Sequence, residues 1–218
     1  MTISQRLHQI RQQLPSHVRL IAVTKQVSVP QIRTAYESGI RDFAESHLQE
    51  AISKQEQLND LKDICWHFIG HLQSNKAKKT ILHFDWIHSA DSIKIVRRLN
   101  QLAAESFLSP KVCLQVKILS DPNKYGWKEE ELFAGLSELE NCKSLKIKGL
   151  MTILPLGLSE VEILATFKKV KDLAHKIKRQ SNLDLDQLSM GMSEDYLLAI
   201  QAGATMIRLG RIIFGKRG

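Results

Sequence analysis

VRLIAVTK, residues 18–25, is a short apolar run of the kind that forms a buried β-strand, and it ends in a lysine. A helical pattern follows from about Pro30, a residue suited to a first helical turn, to Glu37. Gly39 then supplies the glycine that commonly ends a helix, and a second strand candidate begins near Arg41. The order strand, helix, strand predicts parallel neighbouring strands.

The same alternation continues along the chain, and one more helical pattern precedes the first strand. The strand candidates are Val18–Val23, Arg41–Phe43, Trp66–Ile69, Trp86–His88, Val112–Ile118, Lys148–Met151, Gln187–Met190 and Met206–Leu209. The helical patterns between them lie at about Pro30–Glu37, Leu48–Leu58, Ser74–Leu82, Ile93–Glu105, Glu129–Leu139, Glu160–Lys178 and Glu194–Gln201. Eight such units predict an α/β protein, a single TIM-type (β/α)8 barrel domain over residues 1–218 with an extra N-terminal helix. An open doubly wound sheet is the alternative, but the sequence lacks the G-x-G-x-x-G first turn typical of it.

Composition and charge narrow the class of protein. The N-terminus is polar and no run of about 18 apolar residues occurs, so we expect a cytoplasmic protein without a membrane partner. The three cysteines are scattered, and His67 and His71 span a strand and its exit, so neither a disulfide framework nor a metal site is expected. The net charge of +8 raises nucleic acid or an anionic surface as a partner. The basic run Lys168–Arg179 nevertheless has helical spacing and is typical of a solvated helix face, so no nucleic-acid partner is expected.

Functional residues of such barrels lie at the carboxyl ends of the strands, and phosphate groups are often held after strands seven and eight. Lys25 follows the first strand and could form a Schiff base, although an ordinary loop lysine is the simpler alternative. Ser189–Ser193 and Arg208–Arg211 follow the seventh and eighth strands and combine hydroxyls, glycines and a helix start, which favours an anion site. For Ser193 a plain helix N-cap is the alternative, and for Gly210 a tight turn.

A Schiff-base lysine and a phosphate site in one barrel suit two ligands, a phosphosugar aldolase substrate or pyridoxal 5′-phosphate (PLP). An aldolase of class I type would carry its lysine near a late strand. Lys25 lies on the first strand, which favours PLP.

These residues belong to longer stretches that resemble the pyridoxal phosphate homeostasis proteins, a branch of the alanine racemase-like barrels. The matching stretches are LIAVTK ending at Lys25, WHFIGHLQSNK (66–76), IHSADS (87–92), GLM (149–151), LSMGMSED (188–195), AIQAGATMIRLG (199–210) and IFG ending at Gly215. They span nearly the whole chain in the order found in the family, and together they are specific although no single one would be.

The resemblance implies a set of residues that bind PLP. Lys25 would hold the cofactor as a covalent aldimine, and Arg208 would lie near the pyridine nitrogen. Ser189 and Ser193 would offer hydroxyls to the phosphate, and Gly210 with the next residue would offer backbone N–H groups. The complete implied set is Lys25, Ser46, Ser189, Met190, Ser193, Arg208, Gly210 and Arg211.

Two positions depart from the pattern of the family. The family usually has F-G-E-N after the second strand, where this chain has FAES, so Ser46 replaces an asparagine. We expect any amide contact of that residue to the cofactor ring to be weakened. Arg211 replaces a small hydroxyl residue, so its backbone N–H remains while the hydroxyl contact is lost.

The resemblance implies intracellular PLP (vitamin B6) homeostasis with little or no catalysis and no catalytic residue. A cation such as Arg208 beside the pyridine nitrogen disfavours ring protonation and weakens the ring as an electron sink. We also expect no second domain after Gly218 to supply an opposing base, and therefore a monomer. The partners expected are PLP and either apo forms of PLP enzymes or amino acids. The alternatives are a slow PLP-dependent amino-acid racemase and a binder of anionic surfaces or nucleic acid.

Overall fold

The computed structural model describes residues 1–119, 121 and 124–215. Eight parallel strands pair in sequence order, and β1 pairs with β8 to close a barrel. The strands are β1 Arg19–Val23, β2 Asp42–Glu45, β3 Cys65–Phe68, β4 Trp86–Ala90, β5 Lys111–Gln115, β6 Lys146–Met151, β7 Gln187–Ser189 and β8 Met206–Leu209. The helices are α1 Ile3–Gln13, α2 Val29–Glu37, α3 Leu48–Gln57, α4 Ala77–His83, α5 Ile93–Ser106, α6 Glu129–Ala134, α7 Leu136–Asn141, α8 Glu160–Gln180, α9 Tyr196–Gln201 and α10 Arg211–Phe214. The predicted (β/α)8 barrel is confirmed.

Two apolar cores lie on the two faces of the sheet. Alternate side chains of a strand point to opposite faces, so Ile21 and Val23 of β1 point into the barrel while Ala22 packs towards the helices. Trp86 and Met206 join Ile21 inside the barrel. The larger core lies between the sheet and the helices and accounts for most of the buried apolar residues. The small interior core leaves room for the polar side chains described below.

The N-terminal helix belongs to the ring of helices around the sheet. Thr2 and Gln5 form a reciprocal capping box at its start, which satisfies backbone N–H groups that have no partner within the helix. Leu7 and Ile10 are buried where α1 packs against α2 and α10. The extra helix predicted from the sequence is therefore present.

The long basic helix α8 has the two faces expected from its sequence. Its apolar stripe, which includes Phe167, Val170 and Ile177, is buried, whereas Lys168 and Lys169 are exposed. This burial supports the interpretation of the basic run as a solvated face. Within the described residues, no helix is both long and apolar enough to cross a membrane.

Some element boundaries differ from those predicted. The single helix expected over Glu129–Leu139 is divided at Gly135, whose N–H donates to both Glu131 and Leu132 carbonyls. Glycine is a poor helix former, which explains a break at this position. β5 ends at Gln115, because beyond it Lys117 donates its backbone N–H to the Trp127 carbonyl and leaves the regular ladder.

Candidate functional site

A cleft of about 520 Å³ opens at the carboxyl ends of the strands, where the general rule for such barrels places the site. Residues from the loops after β1, β2, β6, β7 and β8 line it. The residues of the implied set that reach this cleft are Lys25, Ser46, Ser193, Arg208, Gly210 and Arg211. Segments far apart in the chain therefore meet at one place.

Ser189 and Met190 of the implied set do not line the cleft. Ser189 is the last residue of β7 and points into the barrel, where its Oγ accepts a hydrogen bond from Arg208 at 2.7 Å. Met190 is fully buried in the apolar core between the sheet and the helices. The alternation of side chains along β7 explains both placements, and the contact of Ser189 with a phosphate stays a prediction.

The backbone beside Lys25 is held by a buried ion pair. Lys54 on α3 donates to Oε1 of Glu45 at 2.8 Å and to the carbonyl oxygen of Thr24 at 2.6 Å. Thr24 also donates its hydroxyl to Glu45 Oε1 at 2.7 Å. These groups are almost completely buried, so the contacts fix the residue that precedes Lys25.

Lys54 also connects to the residue that follows Lys25. Its Nζ lies 2.6 Å from Oε1 of Glu50, and the same oxygen accepts from the backbone N–H of Gln26 at 2.5 Å. Gln26 has a φ of 58°, an uncommon left-handed conformation for a residue with a side chain. Burial raises the pKa of Glu45, while the hydrogen bonds from Lys54 and Thr24 oppose that rise. The ion pair thus holds the chain on both sides of Lys25.

The side chain of Lys25 has fewer contacts than the backbone on either side of it. It is partly exposed and lines the cleft, and its Nζ forms no hydrogen bond or ion pair within the described part of the chain. A fixed backbone with a free terminal amine suits a nucleophile that must meet a carbonyl carbon.

Arg208 is the second cation at the cleft, and it is 3% exposed. NH1 donates to Ser189 Oγ at 2.7 Å and NH2 donates to the carbonyl oxygen of Thr152 at 2.9 Å. Burial lowers the pKa of Arg208 to about 10, with the charge of Asp195 opposing that shift. No carboxylate lies within ion-pair distance of Arg208 among the described residues. Its remaining N–H donors have capacity for a ligand.

The β7–α9 and β8–α10 loops form the opposite wall. Ser193 lies in the first loop, and Gly210 precedes α10, whose first backbone N–H groups have no acceptor within the helix. Gly191 has a φ of 95°, and a Cβ there would lie 2.7 Å from the Cβ of Ala199. Only glycine fits this turn, which sets the path of the chain towards Ser193. Arg211 forms an exposed ion pair with Glu194 at 2.6 Å.

The comparison with protein families matches the whole chain from residue 2 to residue 218 to the model of the alanine racemase N-terminal domain. A pyridoxal phosphate homeostasis protein of Synechocystis sp. is 55% identical over 204 residues, which cover 94% of this chain and 94% of that protein. The chain belongs to the pyridoxal phosphate homeostasis protein family. The resemblance noted in the sequence is confirmed.

Solved structures agree with membership of the pyridoxal phosphate homeostasis family. PipY of Synechococcus elongatus PCC7942 has been solved without PLP and with PLP bound. The form with PLP has a TM-score of 0.95 and 48% sequence identity, covering 98% of this chain and all of that chain. Alanine racemase of Clostridium difficile has a TM-score of 0.82 at 14% identity, covering 99% of this chain and 56% of that chain, which shows a common fold.

One wall of the cleft contains none of the residues that the family resemblance implied. The loop that follows β6, from Ile153 to Leu158, lines the cleft, and Leu156 within it is largely exposed. Pro155 and Gly157 mark a loop in the sequence, but nothing in their pattern indicates that it lines the cleft.

A second cleft of about 660 Å³ lies at the same end of the barrel, and His71, Ser74 and Asn75 of the family stretch line it. His71 stacks on Tyr125 with ring centroids 3.6 Å apart. Lys117 and Lys124 also line this cleft, but their amines donate to backbone carbonyls. Because the amines of Lys117 and Lys124 are engaged, these two lysines are weaker candidates for Schiff-base chemistry than Lys25.

Asp42, Cys65 and His67 lie at the opposite end of the barrel, with one potential metal-ligand atom of each within 4.8 Å of the others. Arg19 donates to Oδ1 of Asp42, and His67 Nε2 lies 2.9 Å from the same oxygen. Burial raises the pKa of the Cys65 thiol to about 12. A neighbouring guanidinium and a protonated thiol favour a hydrogen-bonded cluster over a cation site.

Proposed function

We propose that this protein binds PLP in the cleft beside Lys25, as a Schiff base on that lysine, and serves intracellular PLP (vitamin B6) homeostasis with little or no catalysis. The observation that supports this most is the pairing of a free amine, Lys25, with a fixed buried cation, Arg208, in one cleft. The relatives named for PLP homeostasis and the PLP-bound structure of PipY agree with it.

The groups in the cleft match the chemical groups of PLP. The Lys25 amine would condense with the aldehyde carbon, forming a C=N bond and releasing water. Arg208 would face the pyridine nitrogen and disfavour its protonation. Ser193 would donate its hydroxyl to the phosphate, and the N–H groups of Gly210 and Arg211 would do the same. Bound PLP supplies electron-withdrawing chemistry, which the Arg208 cation restrains.

Three finer points belong to the same proposal. Ser46 lines the cleft, where its hydroxyl would approach the cofactor. Residues 1–218 act as one cytoplasmic, monomeric domain. Apo forms of PLP enzymes are the recipients we propose for the bound PLP.

A titration of the protein with PLP, followed by absorbance, tests binding. We expect one PLP per chain and a yellow imine band, and we expect the loaded protein to restore the activity of an apo PLP enzyme. Pyridoxal without the phosphate should bind more weakly. Absence of saturable binding would contradict the proposal.

A slow PLP-dependent amino-acid racemase is the second candidate, because a free lysine faces the cleft of a barrel with the fold of alanine racemases. Exchange of the amino-acid α-proton in deuterated water separates the two candidates. Sustained exchange at ordinary enzymatic rates that depends on Lys25 would favour the racemase. Exchange no faster than with free PLP would favour the carrier.

A further inference from the structure

A row of polar side chains crosses the interior of the barrel, one from each of β2, β3, β4, β7 and β8. Asp42 Oδ1 lies 2.9 Å from His67 Nε2, and His67 Nδ1 lies 2.9 Å from His88 Nε2. His88 Nδ1 lies 2.8 Å from Ser189 Oγ, which accepts from Arg208 NH1 at 2.7 Å. His67, His88 and Ser189 are fully buried. Buried polar groups are costly unless each has a partner, and every member of this row has one.

The row runs from one end of the barrel to the other. Asp42 is the first residue of β2, at the amino end of the strands, and its side chain is partly exposed there. Arg208 lies near the carboxyl end of β8 and lines the cleft. Neither Asp42 nor His67 lines that cleft. A change at the amino end can therefore be made without touching a bound ligand.

The two ends determine the direction of the hydrogen bonds. Arg208 can only donate, and the ionised carboxylate of Asp42 can only accept. Although burial favours the neutral acid, the hydrogen bond from His67 and the charge of Arg19 hold the pKa of Asp42 below its usual range. Burial lowers the pKa values of His67 and His88, so both rings are neutral at pH 7.

A neutral imidazole has one donor nitrogen and one acceptor nitrogen. His67 must donate from Nε2 to Asp42, so its Nδ1 accepts from Nε2–H of His88. His88 Nδ1 then accepts the hydroxyl proton of Ser189, and the Ser189 oxygen accepts from Arg208. All four hydrogen bonds point the same way, from the cation to the carboxylate. Bonds aligned in this way polarise one another in a low-dielectric interior.

We propose that Asp42, His67, His88 and Ser189 are positioning residues that fix the Arg208 guanidinium and thereby set the electronic state of bound PLP. The link to PLP rests on the proposed function, whereas the direction of the row does not. Arg208 forms no ion pair in the described part of the chain, so its position depends on the row and on the Thr152 carbonyl, while the charge of Asp195 acts on it without a direct contact.

The first test is the tautomeric state of the two histidines in the protein without PLP, measured by ¹⁵N NMR of the imidazole nitrogens. We expect both His67 and His88 to carry hydrogen on Nε2 and none on Nδ1 at pH 7. A proton on Nδ1 of either ring would overturn the direction of the row. This readout stands even if the protein does not bind PLP, so it separates failure of the row from failure of the proposed function.

The second test is Asp42→Asn, which keeps the shape but removes the charge at the end of the row. Its Oδ1 can still accept from Arg19 and His67, but a neutral amide oxygen is a weaker acceptor than a carboxylate. The absorption band of bound PLP changes with pH, and we expect the midpoint of that change to move by about half a pH unit or more. We expect PLP affinity to fall about threefold to tenfold. Cys65→Ser is the matched control, because it changes a residue beside Asp42 but keeps a donor there.

If Asp42→Asn does not fold, His67→Gln breaks the row at the next position and is expected to give the same spectral shift. The proposal is overturned if wild-type protein binds PLP while the folded variant has the spectrum, pH profile and affinity of Cys65→Ser. A shift in Asp42→Asn that is absent in Cys65→Ser supports it. Circular dichroism of each variant shows whether the barrel is intact.

Discussion

Lys25 and Arg208 face the same cleft, but the protein holds them in opposite ways. At Lys25 the neighbouring backbone is fixed, through contacts such as the one to the Thr24 carbonyl, while the amine itself has no partner among the described residues. At Arg208 the side chain itself is fixed, by Ser189 and the Thr152 carbonyl, and is almost completely buried. A group that forms and breaks a bond needs freedom on a fixed base, whereas a group that sets the local charge needs a fixed position.

The largest effect is expected where the backbone near Lys25 is held. Lys54→Met removes the cation of a buried ion pair and leaves the Glu45 carboxylate uncompensated. We expect the free energy of unfolding to fall by about 3–5 kcal/mol in urea denaturation. Adding Glu45→Gln should recover part of the loss, because the buried charge is then removed.

Glu56→Ala, on the exposed side of the same helix, is the control and should change stability by no more than about 0.5 kcal/mol. A loss in Lys54→Met comparable to that control would mean that the ion pair does not hold the backbone beside Lys25.

On the other side of the cleft, Arg208→Gln should weaken PLP binding about tenfold to a hundredfold, because charged hydrogen bonds are stronger than neutral ones. Arg208→Lys keeps the charge but not the planar fork that reaches Ser189 and Thr152 together, so an intermediate loss is expected. Equilibrium dialysis measures both. Equal affinities of Arg208→Lys and wild type would show that the fixed geometry of the guanidinium is irrelevant.

Because of the buried histidines in the row, we expect the free energy of unfolding to decrease as pH falls. Burial lowers the pKa of His88 well below its ordinary value, with the charges of Arg208 and Arg19 acting in the same direction. Below about pH 6.5 the unfolded chain binds a proton at this histidine that the folded protein does not, so stability decreases as pH falls.

From pH 7 to pH 5.5 the contribution of His88 alone is about 1 kcal/mol, since each pH unit below the unfolded pKa approaches 1.4 kcal/mol. Denaturation midpoints at the two pH values measure it. His88→Gln should flatten the dependence by that amount. An unchanged slope in the folded variant would show that His88 is protonated in the native barrel.

The smallest effect concerns the phosphate wall. Ser193→Ala removes one neutral hydroxyl from the cleft and should weaken PLP binding about threefold to tenfold. Binding of pyridoxal, which has no phosphate, should be unaffected and serves as the control. An equal loss for both ligands would place Ser193 against the ring rather than the phosphate.

The sequence predicted the barrel well because its information is local and repeated. Each strand is a short apolar run and each helix has one apolar stripe, as in β1 and α8, so their order implies a parallel sheet. The count of eight units and the missing G-x-G-x-x-G turn favoured a closed barrel over an open sheet. The place of Lys25 at the cleft was predicted for the same reason, since it lies two residues after β1, while its role as a Schiff-base lysine stays a prediction. The division of one helix at Gly135 was missed because a glycine in a helical pattern is often tolerated.

The interior contacts could not be predicted because they depend on which side chains meet across the barrel. Asp42 and His67 are 25 residues apart in the sequence, and His67 and His88 are 21 apart, on separate strands. Each alone is typical of an ordinary polar residue in a strand. The resemblance implied a contact of Ser189 with the phosphate, which stays a prediction, whereas its contact with Arg208 inside the barrel could not be foreseen. A shift of one residue in where β7 ends changes the face to which such a side chain points.

The central claim is that Lys25 carries the cofactor. The direct test is to load the wild-type protein with PLP, reduce it with borohydride, digest it and identify the modified peptide by mass spectrometry. We predict a yellow band that reduction bleaches, and a single modified peptide that contains Lys25. Lys117 and Lys124 of the neighbouring cleft provide an internal comparison, since their amines are engaged by carbonyls. A cofactor found on a peptide without Lys25, or no covalent adduct after reduction, would contradict the account.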